Sequence, residues 1–204
     1  MLNAPDTYMD KVAIGPGYSE GVINLDATPA ENIIALSKEK GVRPDQISAC
    51  ILDRSRHSKH IESVRSVGAS VYLIQDGDVA GIIATTNPSE TNIDIYIGIG
   101  GAPEGVLAAA ALKSIGGQMQ SRLVINNSDE ESRARKMGIE NLDRLYTLNE
   151  LVSKDVIFSA SGVTDGSMLK GVKFMDNKVS VETIVMRSTT GTIRYIQTEY
   201  NNSI

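Results

Sequence analysis

Residues 94–117 read DIYIGIGGAPEGVLAAAALKSIGG. β-Branched residues run into a dense glycine turn, and an alanine-rich stretch of helix formers follows it. Strand, glycine turn and helix in that order form the basic connection of an α/β fold. The turn is also of the kind that cradles an anion on a helix N-terminus. One acid, Glu104, stands at the mouth of this helix. As a first-turn carboxylate it complements the helix dipole. Beside an anion-binding turn it would also repel the anion, unless a divalent cation bridged the two.

The same alternation extends outward in both directions. Tyr8 to Gly15 reads as a strand, and Thr28, Pro29 and Glu31 form the start of a helix that stops at Gly41. Strands are expected over Ile47–Asp53, Ser70–Gln75, Asn92–Gly98 and Asp155–Gly162. Helices are expected from about Ser58 to Val67, over DVAGIIATT from Asp78, and from Glu104 to Ile115. Ser128 with Glu131 and Thr147 with Glu150 read as capping boxes of two short helices. Repeated strand–helix–strand units predict a mostly parallel sheet with helices on both faces. The last residues differ: VETIVMRSTTGTIRYIQTEY is two alternating runs around Thr189-Thr190-Gly191, a β-hairpin.

Composition narrows the function classes. The chain has 204 residues, 41% of them hydrophobic, enough for a substantial core. A net charge of −5 gives no basic field for nucleic acid or an anionic membrane. With two Phe, seven Tyr and no Trp, base-stacking platforms are not expected. No apolar run approaches the roughly 20 residues of a membrane span, so a soluble, cytoplasmic protein is expected. Cys50, the single cysteine, lies in an apolar stretch and reads as a core residue.

In an open α/β sheet, ligands sit at the carboxyl ends of the strands, and four such ends carry reactive residues. After the second strand comes DRSRHSKH, where Arg54 and Arg56 offer planar donors to a phosphate near a helix N-terminus. After the third comes Asp76-Gly77-Asp78, either a turn with Asp78 as N-cap or a grip on sugar hydroxyls. The glycine turn before Glu104 departs from a dinucleotide fingerprint, because Ala102-Pro103 stands where a third glycine is needed. The segment FSASGVTDGSML reads mainly as a structural turn.

The blocks NAPDTYMDKVAIGPG, DRSRHSKHIESVRSVGASVYLIQDGDVAGII, GIGGAPEGVLAAAALKSIGGQMQSRL, IFSASGVTDGSMLKGV and TIVMRSTTGTIRYI resemble class II fructose-1,6-bisphosphatase, in that family's order. The resemblance implies a sugar-phosphatase fold related to inositol monophosphatases. It implies hydrolysis of the 1-phosphate of fructose 1,6-bisphosphate, dependent on a divalent metal, Mn²⁺ or Mg²⁺. By the same matching Glu104 is the metal-binding and catalytic carboxylate. Tyr8, Arg54, Ser55, Arg56, Asp76, Gly77, Asp78 and Gly101 fall on substrate-binding positions.

The family carries a further N-terminal portion with the other acidic metal ligands. The expected division is therefore 1–25 as a remnant of the N-terminal phosphatase domain and 26–180 as an α/β sugar-phosphate-binding domain. Residues 181–204 are expected to be a hairpin packing on the N-terminal domain's sheet, to which the Tyr8 strand is expected to belong too. The expected partner is the small-molecule substrate, with no nucleic acid and no membrane, in a homo-oligomer. Negligible hydrolysis is expected from this chain alone, and a non-catalytic sugar-phosphate-binding module is the competing reading.

Overall fold

The computed structural model describes residues 1–201. The last three residues of the 181–204 segment lie outside the described residues. In chain order the elements are β1 (Tyr8–Ile14), α1 (Pro29–Lys40), β2 (Ser48–Leu52), α2 (Ser58–Ser66), β3 (Ser70–Ile74), α3 (Asp78–Ala84), α4 (Pro88–Thr91), β4 (Ile95–Gly101) and α5 (Ala102–Ile115). There follow β5 (Gln118–Val124), α6 (Ser128–Lys136), β6 (Tyr146–Thr147), α7 (Leu148–Leu151), β7 (Ile157–Ser161), β8 (Lys173–Met175), β9 (Lys178–Arg187) and β10 (Thr192–Asn201). Among the described residues no helix is long and apolar enough to cross a membrane.

Six strands form one sheet in the order β3-β2-β4-β1-β5-β6. The sheet is mixed, not mostly parallel. Strands β2–β3 and β2–β4 pair parallel, while β1 pairs antiparallel with both β4 and β5. The reason is topological. Because β4 and β5 both run against β1, β4–α5–β5 is a crossover unit with a one-strand gap, and β1 fills that gap. The Tyr8 strand therefore lies inside this sheet, with a ladder on each side along its whole length, rather than in the sheet of another domain.

Layering follows from which side chains each element buries. Ile33 and Leu36 of α1 and Val64 of α2 pack with Val12, Ile14, Ile95 and Ile97 on one face of the sheet. Val106, Ala109 and Leu112 of α5 pack with Met9, Ala13, Tyr96, Met119 and Leu123 on the other. Helix α5 is buried nearly all round, which is why alanine dominates it. Its far side carries Ala111 into a third cluster with Phe158, Ile184 and Met186. Those residues belong to a second, antiparallel sheet of order β10-β9-β7, with β8 also pairing β9. The 155–162 strand thus joins this second sheet. The hairpin around Thr189-Thr190-Gly191 is present as β9 and β10, with Thr192 paired to Arg187.

The capping chemistry of α1 and α7 is formed as their residues predict. Thr28 accepts from the Glu31 N–H at 3.2 Å while Glu31 accepts from the Thr28 N–H at 2.8 Å, and Gly41 ends α1 in a left-handed turn. Glu150 likewise accepts from the Thr147 N–H at 2.8 Å. At α6 the cap lies one residue earlier than expected: Asn127, not Ser128, accepts the Glu130 N–H at 2.9 Å. Strand β5 was missed because Gln118, Gln120 and Arg122 make it look polar. Its alternate residues Met119, Ser121 and Leu123 are the buried ones.

Candidate functional site

The carboxyl ends of β2, β3 and β4 and the start of antiparallel β1 come to one edge of the six-stranded sheet. The chain steps from β2 out to β3, then back across β2 to β4, so the strand order reverses between β2 and β4. A crevice opens at such a reversal. Here the two strands pair only at Ala49–Ile95 and Cys50–Tyr96, and beyond that point they part. The ring of His57 fills the gap. The Ile99 N–H donates to its Nε2 at 2.8 Å, so the ring proton is on Nδ1, which donates to the Leu52 carbonyl at 2.7 Å. Burial holds the His57 imidazole below its ordinary pKa, and the neutral ring replaces the missing rung.

Arg54, Ser55 and Arg56 cross the top of this gap and are exposed. Arg56 donates from Nε and Nη2 to the Ile99 carbonyl at 3.2 and 2.8 Å. Its guanidinium lies over the Tyr8 ring, with Cζ 4.8 Å from the centroid. Tyr8 is held there because it faces Gly101 across the β1–β4 ladder. Arg54 donates from Nη1 to the neighbouring Asp53 carbonyl at 2.8 Å. Both residues are exposed, and a guanidinium fork in solvent can donate to a phosphate.

The Asp76-Gly77-Asp78 turn divides into an exposed half and a buried half. Asp76 is exposed, whereas Asp78 is buried. Gly77, at φ 78°, takes the left-handed conformation and is the N-cap of α3, so Asp78 is the first helical residue and not the cap. The Asp78 carboxylate pairs with the ammonium of Lys11, a wholly buried residue of β1. Lys11 Nζ also donates to the Gly101 carbonyl at 3.1 Å. Burial pulls the Lys11 ammonium below its ordinary pKa, and the Asp78 carboxylate pulls it back.

Gly101 caps α5, and Glu104 in its first turn is exposed. Glu104 thus stands at the same sheet edge as Arg56, Tyr8 and Asp76. The fourth strand end does not: Ser159 and Ser161 belong to β7 in the second sheet. Cys50 is fully buried and its thiol is pushed up to about 12, the behaviour of a core residue rather than a nucleophile.

Sequence reasoning missed Lys11. Its signal was a lone lysine inside the apolar alternation Met9–Lys11–Ala13. Reading it needed the knowledge that β1 is a central strand with both faces covered.

Among the described residues no three His, Cys, Asp or Glu side chains converge to hold a metal ion. Asp78 is engaged by Lys11, leaving only the exposed Asp76 and Glu104 as carboxylates of these two turns. A hard divalent cation takes roughly six oxygen ligands, so this set does not by itself make a metal centre.

The family described as "Bacterial fructose-1,6-bisphosphatase, glpX-encoded" matches residues 1–200. The chain is 36% identical over 210 residues to fructose-1,6-bisphosphatase class 2 of Haemophilus influenzae, covering 96% of this chain and 62% of that protein. It is 35% identical over 211 residues to D-fructose 1,6-bisphosphatase class 2/sedoheptulose 1,7-bisphosphatase of Synechococcus sp., covering 97% and 60%. The counterpart of the same name in Trichodesmium erythraeum is 35% identical, with 97% and 61% covered. The chain spans about three fifths of the length of these relatives. With nearly every residue matched, it belongs to the glpX-encoded family of bacterial fructose-1,6-bisphosphatases.

Proposed function

We propose that this chain forms the sugar-phosphate side of an enzyme that hydrolyses the 1-phosphate of fructose 1,6-bisphosphate, giving fructose 6-phosphate and phosphate. The observation that carries this reading is the meeting of Arg54, Ser55, Arg56 and Tyr8 with Asp76-Gly77 and Gly101–Glu104 at one strand-end crevice. Arg54 and Arg56 bind the phosphate that stays on the sugar, with the Ser55 hydroxyl beside them. Asp76 accepts sugar hydroxyls, and the Gly77 and Gly101 backbones let the ring approach closely. Glu104 offers one carboxylate to a divalent ion, Mn²⁺ or Mg²⁺, which needs further oxygen ligands. On this reading the two sheets and their helices are one part of a sugar-phosphatase fold related to inositol monophosphatases.

Isothermal titration of the purified chain with fructose 6-phosphate tests it. Binding in the wild type that weakens in Arg56→Ala is the expected result, and equal affinity in the two overturns the assignment. The second reading, a sugar-phosphate-binding module without chemistry of its own, is favoured by the lack, among the described residues, of three side chains that could together hold a metal ion. It predicts the same titration and no phosphate release.

A further inference from the structure

We propose that Lys11 is a positioning residue that locks the Asp76-Gly77-Asp78 turn to the Gly101–Glu104 turn. A single ammonium reaches both: it pairs with the Asp78 carboxylate and donates to the Gly101 carbonyl at 3.1 Å. Asp78 is the first residue of α3 and lies two residues after the exposed Asp76. Gly101 is the N-cap of α5 and lies three residues before the exposed Glu104. Lys11 therefore sets the spacing between the two helix N-termini whose carboxylates face the crevice, while touching no ligand itself.

The surroundings are shaped for this contact. A Cβ on Gly100 would run into the Asp78 carboxylate and lie 3.0 Å from Lys11 Nζ. A Cβ on Gly105 would lie 3.2 Å from Lys11 Cδ and 2.7 Å from Met9 Sδ. On this face of β1 the neighbours Met9 and Ala13 are apolar, and an apolar side chain at position 11 would be buried without desolvating a charge. A buried ion pair in such a place fixes one arrangement of the elements that it joins. It follows that Asp78 acts through Lys11 on the turn, and that Asp76 alone of the two acids is open to the sugar. The consequence for binding rests on the function proposed above, but the coupling of the two turns does not.

The test uses the whole chain with both charges removed together, Lys11→Met with Asp78→Leu, so that neither is left buried without a partner. Amide hydrogen exchange is followed at Gly81, whose N–H donates to the Gly77 carbonyl at 3.1 Å, and at Ala102, whose N–H donates to the Thr7 carbonyl at 2.8 Å. Exchange about tenfold faster at both turns, with β9 and β10 unchanged, is expected. Fructose 6-phosphate affinity should fall about tenfold with it. Unchanged exchange at either turn overturns the proposal, as does unchanged affinity in a variant whose turns have loosened. If the wild type binds no fructose 6-phosphate while both turns loosen in the variant, the coupling stands and the proposed function fails. Should the double variant not fold, Lys11→Arg keeps the charge but not the fit. Amide shifts displaced together at both turns are then expected, and displacement confined to one turn overturns the proposal.

Discussion

Arg56 is braced between two elements: its guanidinium lies 4.8 Å from the centroid of the Tyr8 ring and donates to the Ile99 carbonyl at 2.8 Å. Tyr8 begins β1 and Ile99 lies in β4, so the fork is held across the crevice before any ligand arrives. A preset donor loses less side-chain entropy when a phosphate binds.

Arg56→Ala should weaken fructose 6-phosphate binding by about 2 kcal/mol, or about thirtyfold, the worth of a charge-assisted bond in a partly desolvated site. Tyr8→Leu removes only the brace and should cost about threefold, in keeping with an exposed cation–π contact. Calorimetric titration of the two variants should show that order, and a larger effect at Tyr8 would mean that its ring meets the ligand directly.

Gly100→Ala should destabilise the chain by about 2 kcal/mol, because the added methyl meets the Asp78 carboxylate and Lys11 with nowhere to go. Urea denaturation followed by circular dichroism measures this directly. Wild-type stability would show that the Lys11–Asp78 pair can shift at no cost.

Acid should weaken the fold through His57. Its Nε2 already accepts from the Ile99 N–H, so a second proton there would abolish that bond, and burial also disfavours the charged ring. The hydrogen bond to the Leu52 carbonyl opposes burial, the nearby Arg56 and His60 charges push the same way as burial, and Asp10 opposes them. With the folded pKa below the ordinary imidazole value, the unfolded chain takes up the proton first. Stability should therefore fall as pH drops below that value. Asp10, raised by burial, contributes the opposite slope nearer its own range. In His57→Gln the loss of stability between neutral and mildly acid pH should disappear; a slope equal to that of the wild type would assign it elsewhere.

Phosphate release from fructose 1,6-bisphosphate by this chain alone should be negligible with Mn²⁺ or Mg²⁺ present, far below a typical enzyme rate of ~10 s⁻¹. The described residues gather no set of metal-holding side chains, and Glu104 cannot stand in for several oxygens. A colorimetric phosphate assay checks this, and turnover near that rate would require ligands from elsewhere in the assembly.

Local chemistry was legible where one residue acts on its near neighbours. The Thr28–Glu31 and Thr147–Glu150 boxes, the glycine stop at Gly41 and the Thr189–Gly191 hairpin are decided within a few residues, and each lies where expected. The strand ends bearing Arg54–Arg56, Asp76-Gly77 and Glu104 were found for the same reason. An alternating chain delivers its loops to the sheet edge whichever way the remaining strands run.

Sequence alone thus determined most of the helices and strands, the residues at the ends of β2, β3 and β4, and the family, but not β5. Tertiary structure decided that β1 enters between β4 and β5, because either strand direction satisfies a central ladder equally and only packing selects one. It also separated residues that look alike in sequence. Asp76 and Asp78 sit two positions apart, yet one meets solvent and the other meets Lys11 from a strand 67 residues away. His57 stands among exposed cations but is a buried rung between diverging strands. A side chain's partner across the fold depends on which faces are brought together, and that depends on the register and order of the whole sheet.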